Sequence, residues 1–110
     1  LMDTRTGVGT SARRFSPDET RSVQLAGRGG VPAGATAVIA NVTATNTSTT
    51  GYLTAWPSGA PRPVASSLNF MAGQSVPNLV MLKLGAGGRL SIFNELGTTD
   101  VIVDVMGYVG

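Results

Sequence analysis

Glycine- and proline-rich turns divide this sequence of 110 residues into short segments, and the spacing of these turns constrains the fold more than any other feature. The turns recur roughly every 8–12 residues, a spacing typical of β-sandwiches and small barrels. Six prolines are spread along the chain, and no segment keeps a helical period. The sequence therefore predicts an all-β fold, an antiparallel β-sandwich of Greek-key or jelly-roll type with about seven or eight short strands.

Alternation of apolar and polar residues is clearest in segment 36–45. Val38, Ala40, Val42 and Ala44 share one face there, and more polar residues occupy the other. The same reasoning predicts the remaining strands at 1–5, 21–26, 52–56, 66–70, 78–84, 89–94 and 99–106.

Three local patterns refine the prediction for the second half of the chain. The glycine-rich segment 85–88 predicts a four-residue hairpin between the strands on either side of it. The apolar run 101–103 predicts a central strand with both faces covered. Lys83, the only lysine, lies between two leucines, where a charge protects an edge strand from aggregation.

The length of the chain is that of one domain, because two independent cores would not fit in 110 residues. The sequence starts at Leu1 and shows no signal peptide, so we expect residues 1–110 to be a single domain excised from a longer precursor. No apolar run approaches the ~20 residues of a membrane helix, so no membrane span is expected.

Histidine and cysteine are both absent, which restricts the chemistry available to the chain. Disulfides, thiol nucleophiles, zinc-finger sites and Ser-His-Asp triads are excluded. No dense cluster of carboxylates suggests a metal site. We therefore expect no catalytic activity, no cofactor and no metal.

The net charge is +2 and the isoelectric point is about 9.7, which raises the question of nucleic-acid binding. The basic residues are scattered, however, and only Arg13 and Arg14 are adjacent. Aromatic residues make up 5% of the chain, so few are available to stack on bases. We expect no nucleic-acid partner.

Tyr52 and Trp56 lie on the same face of a predicted strand, beside a loop rich in proline and glycine. Exposed aromatic rings of this kind stack on sugars in many glycan-binding modules. Arg62, Asn69 and Asn78 would supply hydrogen bonds nearby. The alternative is that Trp56, the only tryptophan, fills the core, and the sequence leaves both possibilities open.

Asp104 lies within an apolar strand, where an unpaired buried carboxylate would be costly. We expect it to form an ion pair with Arg5 that joins the N-terminal segment to the last strand. The alternative is that Asp3 and Asp104 form a carboxylate pair for acid–base chemistry or calcium binding.

Several motifs resemble a domain found repeatedly in secreted and cell-surface proteins of actinobacteria, where it accompanies hydrolases, proteases or other modules. The resemblance covers nearly the whole chain and is carried by LMDTR at 1–5, VPAGATAV at 31–38, NVTAT at 41–45, GYLTAWP at 51–57 and VIVDVMGY at 101–108. It implies an extracellular or cell-surface accessory module. Some members carry a cysteine pair, and the resemblance places Ser58 and Ser91 at the matching positions.

The function predicted from these features is weak attachment to cell-wall or environmental polysaccharide. The alternative is a structural module that binds protein partners, such as its own neighbours in a tandem array or homo-oligomer. Charged residues make up only 13% of the chain, which lowers the desolvation cost of either kind of contact.

Overall fold

The computed structural model describes all residues from 1 to 110, and its regular secondary structure is almost entirely β, with eight strands. They are β1 (Met2–Asp3), β2 (Glu19–Gln24), β3 (Ala37–Thr45), β4 (Gly51–Pro57), β5 (Leu68–Phe70), β6 (Val76–Lys83), β7 (Arg89–Asn94) and β8 (Asp100–Val109). A single 3₁₀ turn, Ala86–Gly88, lies between β6 and β7. No helix in the structure has the length or apolar character needed to cross a membrane.

The strands form two antiparallel four-stranded sheets, ordered β1-β8-β3-β6 and β2-β7-β4-β5. The first strand pairs with the last, the second with the seventh, the third with the sixth and the fourth with the fifth. The chain is therefore one long antiparallel ribbon rolled into two sheets, which is the jelly-roll arrangement. The predicted antiparallel β-sandwich is confirmed.

The core lies between the two sheets and comes from the alternation that the sequence shows. Val38, Ala40, Val42 and Ala44 of β3 are all fully buried, whereas the residues between them are half-buried. The opposite sheet contributes fully buried leucine and isoleucine side chains from β4 and β7. The full core cluster has 18 buried residues, among them Phe15, Leu53, Leu90, Ile92, Val101 and Val103.

The predicted hairpin at 85–88 is wrong, because β6 and β7 belong to different sheets. The glycines instead allow two backbone segments to approach each other closely. The Ala86 N–H donates to the Ser58 carbonyl oxygen at 2.8 Å, and a Cβ on Gly85 would collide with the Ser58 backbone. The segment therefore passes from one sheet to the other while packing against the loop that follows β4.

The last strand, β8, is central in its sheet, since β1 and β3 flank it. Only one of its faces is covered, contrary to the prediction from its apolar run. Val101 and Val103 are fully buried, whereas Ile102 is half-buried on the outer face and Asp104 is exposed. Asp104 thus points to solvent and avoids the desolvation cost that the sequence suggested.

Strand β6 lies at the edge of the first sheet, as Lys83 indicated. It also carries Pro77, which cannot donate a backbone hydrogen bond to another strand. Both residues limit uncontrolled pairing along this edge.

Candidate functional site

Trp56 lies on the outer face of the β2-β7-β4-β5 sheet and is not part of the core between the sheets. Its side chain is nevertheless buried, with an exposed fraction of 6%. The indole N–H donates to the carbonyl oxygen of Ala60 at 3.0 Å. The loop that follows β4 therefore folds back over the indole ring, and Trp56 offers no open stacking surface.

Arg62 completes this cover. Its guanidinium carbon lies 3.7 Å from the centre of the Phe93 ring, a cation–π contact on the outer face of β7. Phe93 is buried, and its ring centre lies 6.3 Å from that of Tyr52. The aromatic face is thus a small second apolar cluster, and Arg62 stacks on it while remaining exposed to solvent.

Ser67 fastens the end of the same loop to the sheet. Its N–H donates to the Leu53 carbonyl oxygen at 2.8 Å, and its hydroxyl oxygen accepts from the Ala55 N–H at 2.9 Å. Asn78 donates from its side-chain amide to the Ser67 carbonyl oxygen at 2.6 Å. Asn78 therefore links β6 to the loop and uses one of its two amide N–H groups to do so.

Tyr52 and Asn69 come together, because they are direct cross-strand partners on β4 and β5. They line an open cleft of about 380 Å³ on the edge of the second sheet. The cleft contains the partly exposed Tyr52 ring and several polar side chains. Its other lining residues are Thr50, Gly51, Phe70, Met71, Gln74 and Glu95.

The polar side chains of this cleft, which we call the Tyr52 cleft, keep unused hydrogen-bonding groups. Asn69 accepts from the Ser66 hydroxyl at 3.1 Å and Gln74 accepts from the Met71 N–H at 2.9 Å, so the amide N–H₂ of each is free to donate. The Glu95 carboxylate forms none of the four ion pairs of the protein. Donors and an acceptor therefore surround an aromatic ring.

The structure thus separates the five residues predicted from the sequence. Tyr52 and Asn69 lie in the cleft, whereas Trp56 and Arg62 belong to the covered aromatic face, and Asn78, on β6, is bonded to the end of its loop. Sequence reasoning missed Met71, Gln74 and Glu95. The turn 71–74 after β5 is visible in the sequence, but Glu95 reaches the cleft through backbone pairing: its N–H donates to the Tyr52 carbonyl oxygen at 3.1 Å.

The predicted ion pair between Arg5 and Asp104 is corrected by the structure. Arg5 pairs with Asp3, at 2.9 Å between Nη2 and Oδ2. Arg5 donates two further hydrogen bonds to Oδ1 of the same carboxylate. The hydrogen bonds from Arg5 lower the pKa of Asp3. Asp104 faces outward on the neighbouring strand without an ion-pair partner.

The most buried carboxylate, Asp100, is also held in a structural role. Burial alone would raise its pKa, but hydrogen bonds from Thr4, Asn46 and Arg14 outweigh that effect and lower it. The Thr4 hydroxyl donates at 2.7 Å and the Arg14 Nε at 3.2 Å. No group of three or more carboxylates is placed to hold a metal ion.

Ser58 and Ser91, which the resemblance aligns with a cysteine pair, lie next to each other. Their hydroxyl oxygens are 2.9 Å apart, across the β4–β7 boundary and beside Trp56. A hydrogen bond therefore occupies the position where a cross-link would join the loop to β7.

Comparison with protein-family models and with curated proteins identifies no match to this sequence.

Proposed function

We propose that this chain is a non-catalytic, extracellular or cell-surface accessory module that attaches weakly to cell-wall or environmental polysaccharide. The Tyr52 cleft is the observation that carries the proposal. It places one aromatic ring beside free amide donors and a free carboxylate, at the edge of a sheet. The resemblance to secreted actinobacterial domains supports a location outside the cell.

The chemistry of the cleft suits a sugar better than an apolar ligand. An aromatic face stacks on the C–H groups of a sugar ring, while amides and carboxylates bind its hydroxyls. The volume of about 380 Å³ is near the lower end of the range of roughly 300–1,000 Å³ for small-molecule sites. An open cleft of this size favours weak binding of a short stretch of polysaccharide.

The experiment is a retention assay on insoluble peptidoglycan, chitin and cellulose. Wild type is compared with Tyr52→Ala and Glu95→Gln. We expect wild type to be retained on at least one of the three materials, and Tyr52→Ala to lower retention about tenfold or more. Glu95→Gln keeps the shape of the side chain, so we expect a smaller loss.

Val64→Ser serves as the matched control, because Val64 is fully exposed and does not line the cleft. Thermal unfolding establishes that each variant is folded. Absence of retention on all three materials would refute the proposal, and so would full retention of a folded Tyr52→Ala variant.

A second candidate function, assembly with protein partners, draws on a different surface. The outer face of the β1-β8-β3-β6 sheet carries exposed apolar side chains that no loop covers, including Leu79, Met81 and Met106.

A further inference from the structure

The outer faces of the two sheets differ in whether a loop covers them. The loop between β4 and β5 covers one, whereas the other leaves large apolar side chains in solvent. The exposed fractions are 61% for Leu79, 70% for Met81, 67% for Met106 and 47% for Val109. Ile39, half-buried, lies among them on β3. We call these five residues the open face.

The arrangement of the open face follows from the strand register. Ile39 of β3 lies between Met81 on β6 and Gly107 on β8. Leu79 lies two residues further along β6, and Val109 two residues further along β8 in the other direction. Gly107 lacks a side chain, so it leaves a hollow beside Ile39 into which a large apolar side chain could pack.

Two unpaired charges mark opposite corners of this surface. Lys83 is opposite Ala37 on one side of β3, and Asp104 is opposite Asn41 on the other side. Standard strand spacings place their Cα atoms about 16 Å apart, with Ile39 midway between them. Neither takes part in an ion pair within the chain, although the Leu1 ammonium and Arg5 lie near enough to Asp104 to attract it.

The other charged side chains of this sheet form ion pairs within the chain. Asp3 pairs with Arg5 and Asp100 with Arg14. The open face is therefore apolar at its centre, with one free cation and one free anion on its diagonal. This pattern is complementary to itself.

We propose that the open face binds a second copy of this chain in a symmetric, face-to-face dimer. A twofold axis in the plane of the contact, passing through Ile39 and perpendicular to the line from Lys83 to Asp104, exchanges the two corners. Lys83 of each copy then faces Asp104 of the other, and the two Ile39 side chains meet on the axis. Such a contact uses the same patch twice, as isologous dimers do.

The size of the face determines how strong the dimer is. Three strands of about eight residues cover roughly 400 Å² per copy. Stable complexes bury about 800 Å² per partner, so this contact is predicted to be weak and dependent on concentration. The Tyr52 cleft lies on the other sheet and stays accessible, so a dimer would present two clefts and gain avidity on a polymer.

Sedimentation velocity of purified protein, from micromolar to millimolar concentration, tests the dimer. We expect wild type to shift toward dimer as concentration rises. Lys83→Glu places like charges at both corners of the contact, and so does Asp104→Lys. Each variant alone is expected to weaken association about tenfold or more.

An equimolar mixture of the two variants is the decisive sample. In the mixed dimer both corners again carry opposite charges, so association is expected to return to about the wild-type level. Only a contact between copies explains such rescue. Met81→Ser should weaken association without altering charge, whereas Val64→Ser, on the covered side, should leave it unchanged.

A wild-type protein that stays monomeric at millimolar concentration would overturn the proposal. Folded single variants that associate like wild type would do the same, as would a mixture that associates no better than its two components.

Discussion

Glu19 is the centre of a cluster of hydrogen bonds and ion pairs in this sparsely charged chain. Its carboxylate accepts from both terminal nitrogens of Arg13, at 3.0 and 2.8 Å, and from the Arg21 Nε at 2.8 Å. The Ser16 N–H adds a fourth hydrogen bond at 2.7 Å. Arg21 also lies over the buried Phe15 ring, 4.4 Å from its centre. One carboxylate thus holds the loop before β2 against the sandwich.

This cluster predicts a specific pH dependence of stability. The hydrogen bonds from Arg13, with those from Arg21 and Ser16, lower the pKa of Glu19 to about 2, from an ordinary value of 4.5. A lowered pKa means that the folded state favours the ionised form. The stabilisation is therefore complete above about pH 4.5 and is lost as pH falls toward 2.

Thermal unfolding between pH 6 and pH 2 measures this effect. We expect the Tm of wild type to fall in acid more steeply than that of Glu19→Gln, because the variant has no carboxylate to protonate at this position. Glu95→Gln is the control, since Glu95 forms no ion pair and should keep the wild-type slope. Equal slopes for wild type and Glu19→Gln would refute the assignment.

Loop 58–67 is the element that closes Trp56 off from solvent. It covers Trp56 through Ala60, stacks Arg62 on Phe93 and is fastened at its end by Ser67. Ser58, at its start, reaches Ser91 on β7. The loop is thus anchored to the sheet at several points, and Trp56, which looked like part of a platform, is buried beneath it.

Replacing Ser58 and Ser91 together with cysteine should create a disulfide at this position. The two hydroxyl oxygens are 2.9 Å apart, and the closed loop spans 33 residues. In the chain-entropy model, a loop of this length contributes roughly 3–4 kcal/mol of stability. We expect the oxidised double variant to unfold at a higher temperature than its reduced form.

Ser91→Cys alone is the matched control, because it introduces the sulfur without a partner. Its Tm should not depend on reductant. Failure of the double variant to oxidise, or a Tm that falls on oxidation, would show that loop and strand are not held at this distance.

Strand positions could be predicted from the sequence, whereas strand neighbours could not. Alternation in 36–45 indicates which side chains face the core, and Val38 and Val42 are indeed fully buried. Alternation does not say which strand lies alongside. The glycines of 85–88 therefore looked like a hairpin although they join two sheets, and Asp104 looked buried although its face of β8 is open.

The candidate site was predictable only in part for the same reason. Tyr52 was identified as an aromatic residue on a strand face, and Asn69 as a nearby polar residue. Glu95 is far from both in sequence and reaches the cleft because β7 pairs with β4. Trp56 has the same sequence pattern as Tyr52. Only the three-dimensional path of the following loop shows that Trp56 is covered and Tyr52 is partly exposed.

The molecule as a whole presents three different surfaces on one jelly roll. One outer face is covered by its own loop, the other is open and apolar, and the Tyr52 cleft lies along a sheet edge between them. Attachment to polysaccharide and contact between copies would therefore use separate surfaces. Association should not block the cleft, and a ligand in the cleft should not prevent association.

The proposed function requires polysaccharide to bind in the Tyr52 cleft and not on Trp56. An NMR titration of ¹⁵N-labelled protein with soluble chitin, cellulose and peptidoglycan fragments tests it most directly, since the single tryptophan gives one indole N–H signal. We predict that at least one fragment shifts the backbone amides at 50–52, 69–74 and 95, while the Trp56 indole signal stays in place. Shifts centred on Trp56 and loop 58–67, or no shifts with any fragment, would contradict the proposed binding in the cleft.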